Sequence, residues 1–253
     1  MTSTAREDED GRGRCPWGSA PADYRHYHDN EWGRPVGDDR AVLEKLCLEG
    51  FQSGLSWLTV LRKRDNFRRA FAGFDAEALS LFGPDDVEAL MVDASIIRHR
   101  AKIEAAITNA RATARLHAQG LSLAGLVWSY EHWEVQRGTP GAAGTPLAAG
   151  TQAGAGGPCP GSIEEVRSWS PASRALSGEL KGLGFGFVGP TTVYSAMQAL
   201  GVVNEHLRGC WVREEAERER AEFVRPQRAP LRPGKAANSG RGPGRRGPSG
   251  PRR

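Results

Sequence analysis

No stretch of this chain is apolar for long enough to cross a bilayer, which takes about 18 consecutive residues or more. Its opening residues, Thr2 to Asp10, are acidic, where a secretory signal would need a basic stretch running into an apolar one. The expectation is a soluble, cytoplasmic protein with no membrane partner. Cysteine is scarce too, four in 253 residues. So few cannot staple a chain of this length, and in a reducing compartment Cys beside His points to a metal instead. Sustained period-two alternation of apolar and polar residues is missing, which leaves an all-α fold as the expectation. Two segments lack charge of one or both signs. Residues 138–162 carry none, being eight Gly, six Ala and four Pro among few others, and read as a flexible insertion. Residues 225–253 contain nine Lys/Arg and no acid; taken out of the formal net charge of +4, they leave −5 for residues 1–224. The pI of about 9.0 therefore describes a basic disordered tail. With residues 1–13 polar and aperiodic, a disordered leader, one domain over residues 14–224 is expected.

What is present is helical periodicity. Asp39 is placed to cap a helix through about Gln52, with Val42, Leu43, Leu46 and Cys47 inward and Glu44 and Lys45 on the wet face. Further helices fit Ser56–Ala72, Asp75–Phe82, Pro84–Asp93, Arg98–Gln119, Leu121–Val135, Ser162–Ser170, Pro171–Lys181, Pro190–Leu200 and Asn204–Val224.

Three constellations carry chemistry. Glu49 falls at the C-terminal end of a core-packed helix, where the dipole and burial both oppose its charge. Gly54 then permits a positive φ, leaving Leu55 projecting beside Trp57. The pattern fits a pocket with one acid, one aromatic face and one wedge; it equally fits a core Trp and a Glu satisfied by backbone N–H groups. Trp17, Tyr24, Tyr27, Trp32 and Trp57, interleaved with Glu31 and Glu49, suit a slot for a flat cationic ring, or ordinary core filling. Cys15, His28, His206 and Cys210 form a possible Cys₂His₂ zinc site, with His206 and Cys210 one turn apart on a helix face. A closed set of four leaves no position for water, so such a zinc would be structural. Lastly, Lys181 to Thr192 reads as a helix, a Gly-rich hairpin and a second helix opening on Pro190, whose free N–H groups suit a phosphate.

Taken together, Tyr27–Gly33, Leu48–Trp57, Ile96–Ile103 and Gly186–Gly189 followed by Asn204–His206 form a run of motifs that resembles the DNA-3-methyladenine glycosylase I family of bacterial base-excision repair, over roughly Arg14 to Trp211. The resemblance implies the helix–hairpin–helix glycosylase fold. It also implies a zinc clip of Cys15, His28, His206 and Cys210, with Glu49 as the catalytic carboxylate of a pocket lined by Trp17, Tyr24, Tyr27, Trp32 and Trp57. It further implies DNA contacts at Gln52, Gly54, Leu55, Gly186, Gly189 and Thr191, and a monomer that flips and releases 3-methyladenine from double-stranded alkylated DNA. The chain departs from the family in having Gly186 where a Lys is familiar, in its insertion and tail, and in having Asn204 and Glu205, with no Asp, after the hairpin. Alternatives are a glycosylase for another alkylated base, a zinc-stapled DNA-binding module without chemistry, and a metal-dependent hydrolase.

Overall fold

A computed structural model describes residues 4–131 and 159–229, and all structural statements concern these. The insertion over 138–162 falls almost wholly outside them, as do the tail from residue 230 and the end of the helix expected over Leu121–Val135. The described chain is helical: α1 (Ala22–Asn30), α2 (Asp39–Gln52), α3 (Trp57–Leu61), α4 (Arg64–Ala70), α5 (Ala76–Ser80), α6 (Pro84–Val92), α7 (Arg100–Ala118), α8 (Leu123–Trp128), α9 (Pro171–Gly182), α10 (Pro190–Ala199) and α11 (Trp211–Glu222). No described helix is long and apolar enough to cross a membrane.

The organising element is α2. Val42, Leu43, Leu46, Cys47, Leu48 and Phe51 are all buried, a pattern wrapping the whole helix and marking it as the one the others pack around. Its N-cap is Asp38, which accepts from Ala41 N, one residue before the expected Asp39. Asp39 reaches across instead and caps α8, accepting from Leu123 N (3.0 Å) and Ala124 N (2.7 Å). At the other end Lys102, from α7, donates to the carbonyls of Phe51 (2.9 Å) and Ser53 (2.6 Å). These are among the acceptors a helix C-terminus leaves unpaired, and an ammonium there also meets the negative end of the dipole.

Several expectations are corrected. The helix over Ser56–Ala72 is broken into α3 and α4 at Lys63, whose backbone leaves helical geometry at φ −102° and ψ 0° and whose ammonium donates to the carbonyls of Ala94 and Ser95. Ser162–Ser170 holds only a 3₁₀ turn at Ile163–Glu165. The last helix starts at Trp211, not Asn204, so His206 and Cys210 share no helix face; the loop holding them is pinned by Arg213, which donates to the carbonyls of Asn204 (3.1 Å) and His206 (2.6 Å). The leader is ordered from residue 4: Arg6–Glu7 pairs antiparallel with Gly13–Arg14. The cause is Arg14, buried and drawing in Asp8 (3.1 Å), Asp10 (2.6 Å) and Asp29 (2.9 Å). The domain also runs past residue 224. Arg225 donates to buried Glu131, Ser122 N donates to Arg228 O, and a Cβ on Gly125 would lie 2.2 Å from Gln227 O.

Candidate active site

Glu49 sits on the last turn of α2, 6% exposed, and among the described residues no group donates a hydrogen bond to it. Burial pushes its pKa from 4.5 up to about 7, opposed only by the charge of Lys45. The reading of a structural glutamate satisfied by backbone N–H groups fails on this point. Tyr27, buried on α1, lies near enough for Glu49 to act on its phenol, which desolvation and that carboxylate raise together. The Tyr27 and Trp57 rings are 5.4 Å apart and tilted by 44°. Trp57 Nε1 is buried and finds no partner among the described residues, so the recess carries both an unmatched acceptor and an unmatched donor.

The five aromatic residues divide by task. Tyr27 and Trp57 stand at the acid. Tyr24 accepts from Leu58 N (2.9 Å), which fixes the start of α3 and hence Trp57. Trp17 bridges two sites, meeting Tyr24 and Tyr27 at 5.8 and 6.4 Å and His28 at 5.0 Å between centroids. Trp32 lies mostly against the Cys/His cluster, 4.6 Å from the His206 ring. Glu31 is taken by Arg64 (2.9 Å) and does not serve the recess. Lys45 is where the sequence reading went astray: it is half-buried against the aromatic face rather than on a wet one. The signal was its position one turn before Glu49, which puts both on one side of α2.

Beside the acid, Gly54 takes φ +82° in open space, and Leu55 projects beyond it, 43% exposed. Facing this turn is the hairpin between α9 and α10. Phe187, at φ +53° and 40% exposed, lies against Gly50, where an added Cβ would meet Phe187 Cβ at 3.3 Å. Gly186 is not free to hold a phosphate. Its N–H donates to Asn109 Oδ1 (2.7 Å), its carbonyl accepts from Asn109 Nδ2 (3.2 Å), and a Cβ there would press on Ala105 at 3.1 Å. Gly186 is thus a packing glycine, and Asn109 a positioning residue the sequence reading missed. Gly189 and exposed Thr191 remain at the opening of α10, where helix N–H groups point outward.

The four expected metal ligands converge. Cys15, His28, His206 and Cys210 are all buried, with ligand atoms within 4.8 Å of one another; half-buried Cys159 is not among them. Cys210 Sγ is 3.5 Å from both His28 Nε2 and His206 Nδ1, close to the roughly 3.5 Å edge of a tetrahedron with zinc-length bonds. The outward nitrogens are fixed: His28 Nδ1 lies 2.8 Å from Asp29 Oδ1, and His206 Nε2 lies 3.0 Å from the Trp32 carbonyl, which can only accept. That orders each imidazole to turn a lone pair inward, as a metal requires. The thiol of Cys210 is shifted down by Cys15 first and by the two histidines, so one sulfur favours its thiolate. Gly33 makes room, since at φ +81° its absent Cβ would lie 2.8 Å from His206 Nε2.

The model of a family described as methyladenine glycosylase matches residues 17–214. The chain is 44% identical over 199 residues to DNA-3-methyladenine glycosylase 1 of Escherichia coli (strain K12), spanning 78% of this chain and 95% of that protein. To DNA-3-methyladenine glycosylase of Haemophilus influenzae it is 37% identical over 198 residues, 78% of this chain and 96% of that one. A crystal structure of 3-methyladenine DNA glycosylase I (TAG) matches the fold with a TM-score of 0.68 at 43% identity, covering 78% of this chain and 98% of that one. The Staphylococcus aureus TAG, solved for the structural basis of 3-methyladenine recognition, matches at TM-score 0.67 and 30% identity, covering 79% and 96%.

Proposed function

From the premise that this chain belongs to the methyladenine glycosylase family, we propose that it releases 3-methyladenine from double-stranded alkylated DNA, holding the flipped base against Trp57 with Glu49 at its edge. The observation that carries this is the buried Glu49 carboxyl, unmatched by any hydrogen bond among the described residues and close enough to act on Tyr27, whose ring meets Trp57 at 5.4 Å.

Taking a base out of the stack costs a few kcal/mol, least for a damaged pair. Leu55 on its glycine turn is shaped to fill the gap, and the opening of α10 to hold a phosphate. A purine methylated at N3 is cationic, so stacking on an indole favours it over a neutral base by about 1–2 kcal/mol when desolvated. Ionised Glu49 accepts from the purine N–H edge and offsets charge developing on the sugar. The C1′–N9 bond breaks with its electron pair passing to the purine, which departs neutral. Water adds at C1′ and gives its proton to solvent. No general acid is required, which suits a site without an Asp after the hairpin.

The Cys/His cluster suits a structural zinc. Two thiols and two imidazoles with fixed tautomers would close the ion's coordination, so it would supply cohesion and no chemistry. A base must be flipped only from a duplex, and Glu49, Tyr27, Trp57 and Leu55 all come from one chain. The proposal is thus of a monomer acting in the cytoplasm. Chromatography of bases freed from methylated duplex DNA is the test: a 3-methyladenine peak is expected, and its absence would overturn the proposal.

A further inference from the structure

Lys45 has been given no task so far, yet it stands beside Tyr27, Trp57 and Glu49. Its ammonium donates to Tyr27 Oη (3.0 Å), past the hydroxyl edge of that ring, and lies over the Trp57 ring at 4.8 Å from the centroid. Those rings are only 5.4 Å apart, so no flat ring fits between them. A base must stack on a face of Trp57, at about 3.5 Å, and the ammonium stands over that ring. The nearby acids are otherwise committed, Glu31 to Arg64 (2.9 Å) and Glu44 to Arg68 (3.0 Å). Glu49 has no counter-charge but Lys45.

We infer that Lys45 is the resident cation of the recess, an intramolecular competitor that the cationic base displaces on entry and that returns to Tyr27, Trp57 and Glu49 once the base has become neutral. This rests on the reading of the recess as a cationic-purine site. Before bond cleavage one cation replaces another, and Glu49 is never left without a partner. After cleavage the purine no longer answers that charge, and Lys45 reclaims the surface. A ligand that must expel a bound group loses apparent affinity in proportion to how often the surface is open. The loss is greatest for a neutral ligand, which leaves Glu49 without a counter-charge when the ammonium is expelled, so Lys45 hastens product departure. A lysine that instead contacted the base would have the opposite effect, since its removal would weaken binding.

Titrating tryptophan fluorescence of the full-length protein with free 3-methyladenine, and with N-methylquinolinium as a flat cation of unrelated structure, decides between these. Lys45→Met is expected to bind both at least about tenfold more tightly, the weight of one desolvated cation–π contact, and Lys45→Arg to bind them as the wild type does. Unchanged or weaker binding by Lys45→Met, with a wild-type melting transition, overturns the inference. Should the wild type free no 3-methyladenine from DNA, the proposed function fails instead, and the quinolinium titration still decides the role of Lys45.

Discussion

A carboxyl whose pKa is raised on folding has a definite signature in pH. Below about 4.5 Glu49 is protonated in both states; between 4.5 and about 7 the unfolded chain has released the proton and the native one has not. Stability therefore falls as pH rises through that window, by about 3 kcal/mol in all, and stays reduced above it. Glu49→Gln is expected to lack this decline, so its melting temperature overtakes that of the wild type by pH 8, as calorimetry across pH would record. Excision should change in the other direction: in the wild type it rises with an acid limb near pH 7, and in Glu49→Gln it falls by about 10²-fold or more. A wild-type rate of 3-methyladenine release by that variant would refute the assigned role. The position of Glu49 on a core helix was readable from periodicity, and so was the aromatic company it keeps. What could not be read was that no backbone donor would meet it, because that depends on how Lys102 and the Ser53–Leu55 turn consume the hydrogen-bonding groups nearby.

Among elements, the hairpin between α9 and α10 is held by two side chains of α7, Asn109 and Arg115, the latter donating to the carbonyl of Leu183 (3.0 Å). Asn109 satisfies both the N–H and the carbonyl of Gly186, and Ser177 Oγ donates to the carbonyl of Val188 (2.6 Å). Asn109→Ala is expected to leave the two half-buried Gly186 groups without their partner, costing about 1–2 kcal/mol. It should weaken duplex binding while free 3-methyladenine binds as before, a split that gel-shift and fluorescence titrations would resolve. The hairpin itself was legible from its glycines and from the Pro that opens α10. Gly186 was misjudged as a phosphate contact because its neighbours, Ala105 and Asn109, are far away in sequence. The same distance hid Asp39 as the cap of α8. Most of the longer helices were legible from periodicity, whereas α1 was not read as a helix, Ser162–Ser170 was read as one, and helix ends were misplaced because crossing contacts set them.

At the scale of the whole molecule, two fastenings tie the chain's described ends into the fold. Glu131 takes Arg220 and Arg225, both at 2.9 Å, so the basic terminus is part of the domain up to residue 229. Truncation after Val224 should lower the melting temperature, whereas truncation after Ala229 should not. If the seven Lys/Arg beyond that point bear on DNA, the second truncation flattens the salt dependence of binding by up to about 0.9 per charge lost. The other fastening is the Cys/His cluster, which joins Cys15 to Cys210. Its members and their meeting were legible through the family resemblance; what was not legible is that His206 and Cys210 meet in a loop rather than along a helix. With zinc bound there, chelation is expected to lower the melting temperature by several degrees or more, and Cys210→Ser to do the same without chelator.

Tyr27 and His28 are consecutive on α1, so the floor of the recess and one of the four clustered ligands share a peptide bond. Trp17 leans on both. The hairpin hangs from α7 and has no such tie. Disturbing the cluster would accordingly be felt at Tyr27 and the acid beside it before it reached the hairpin.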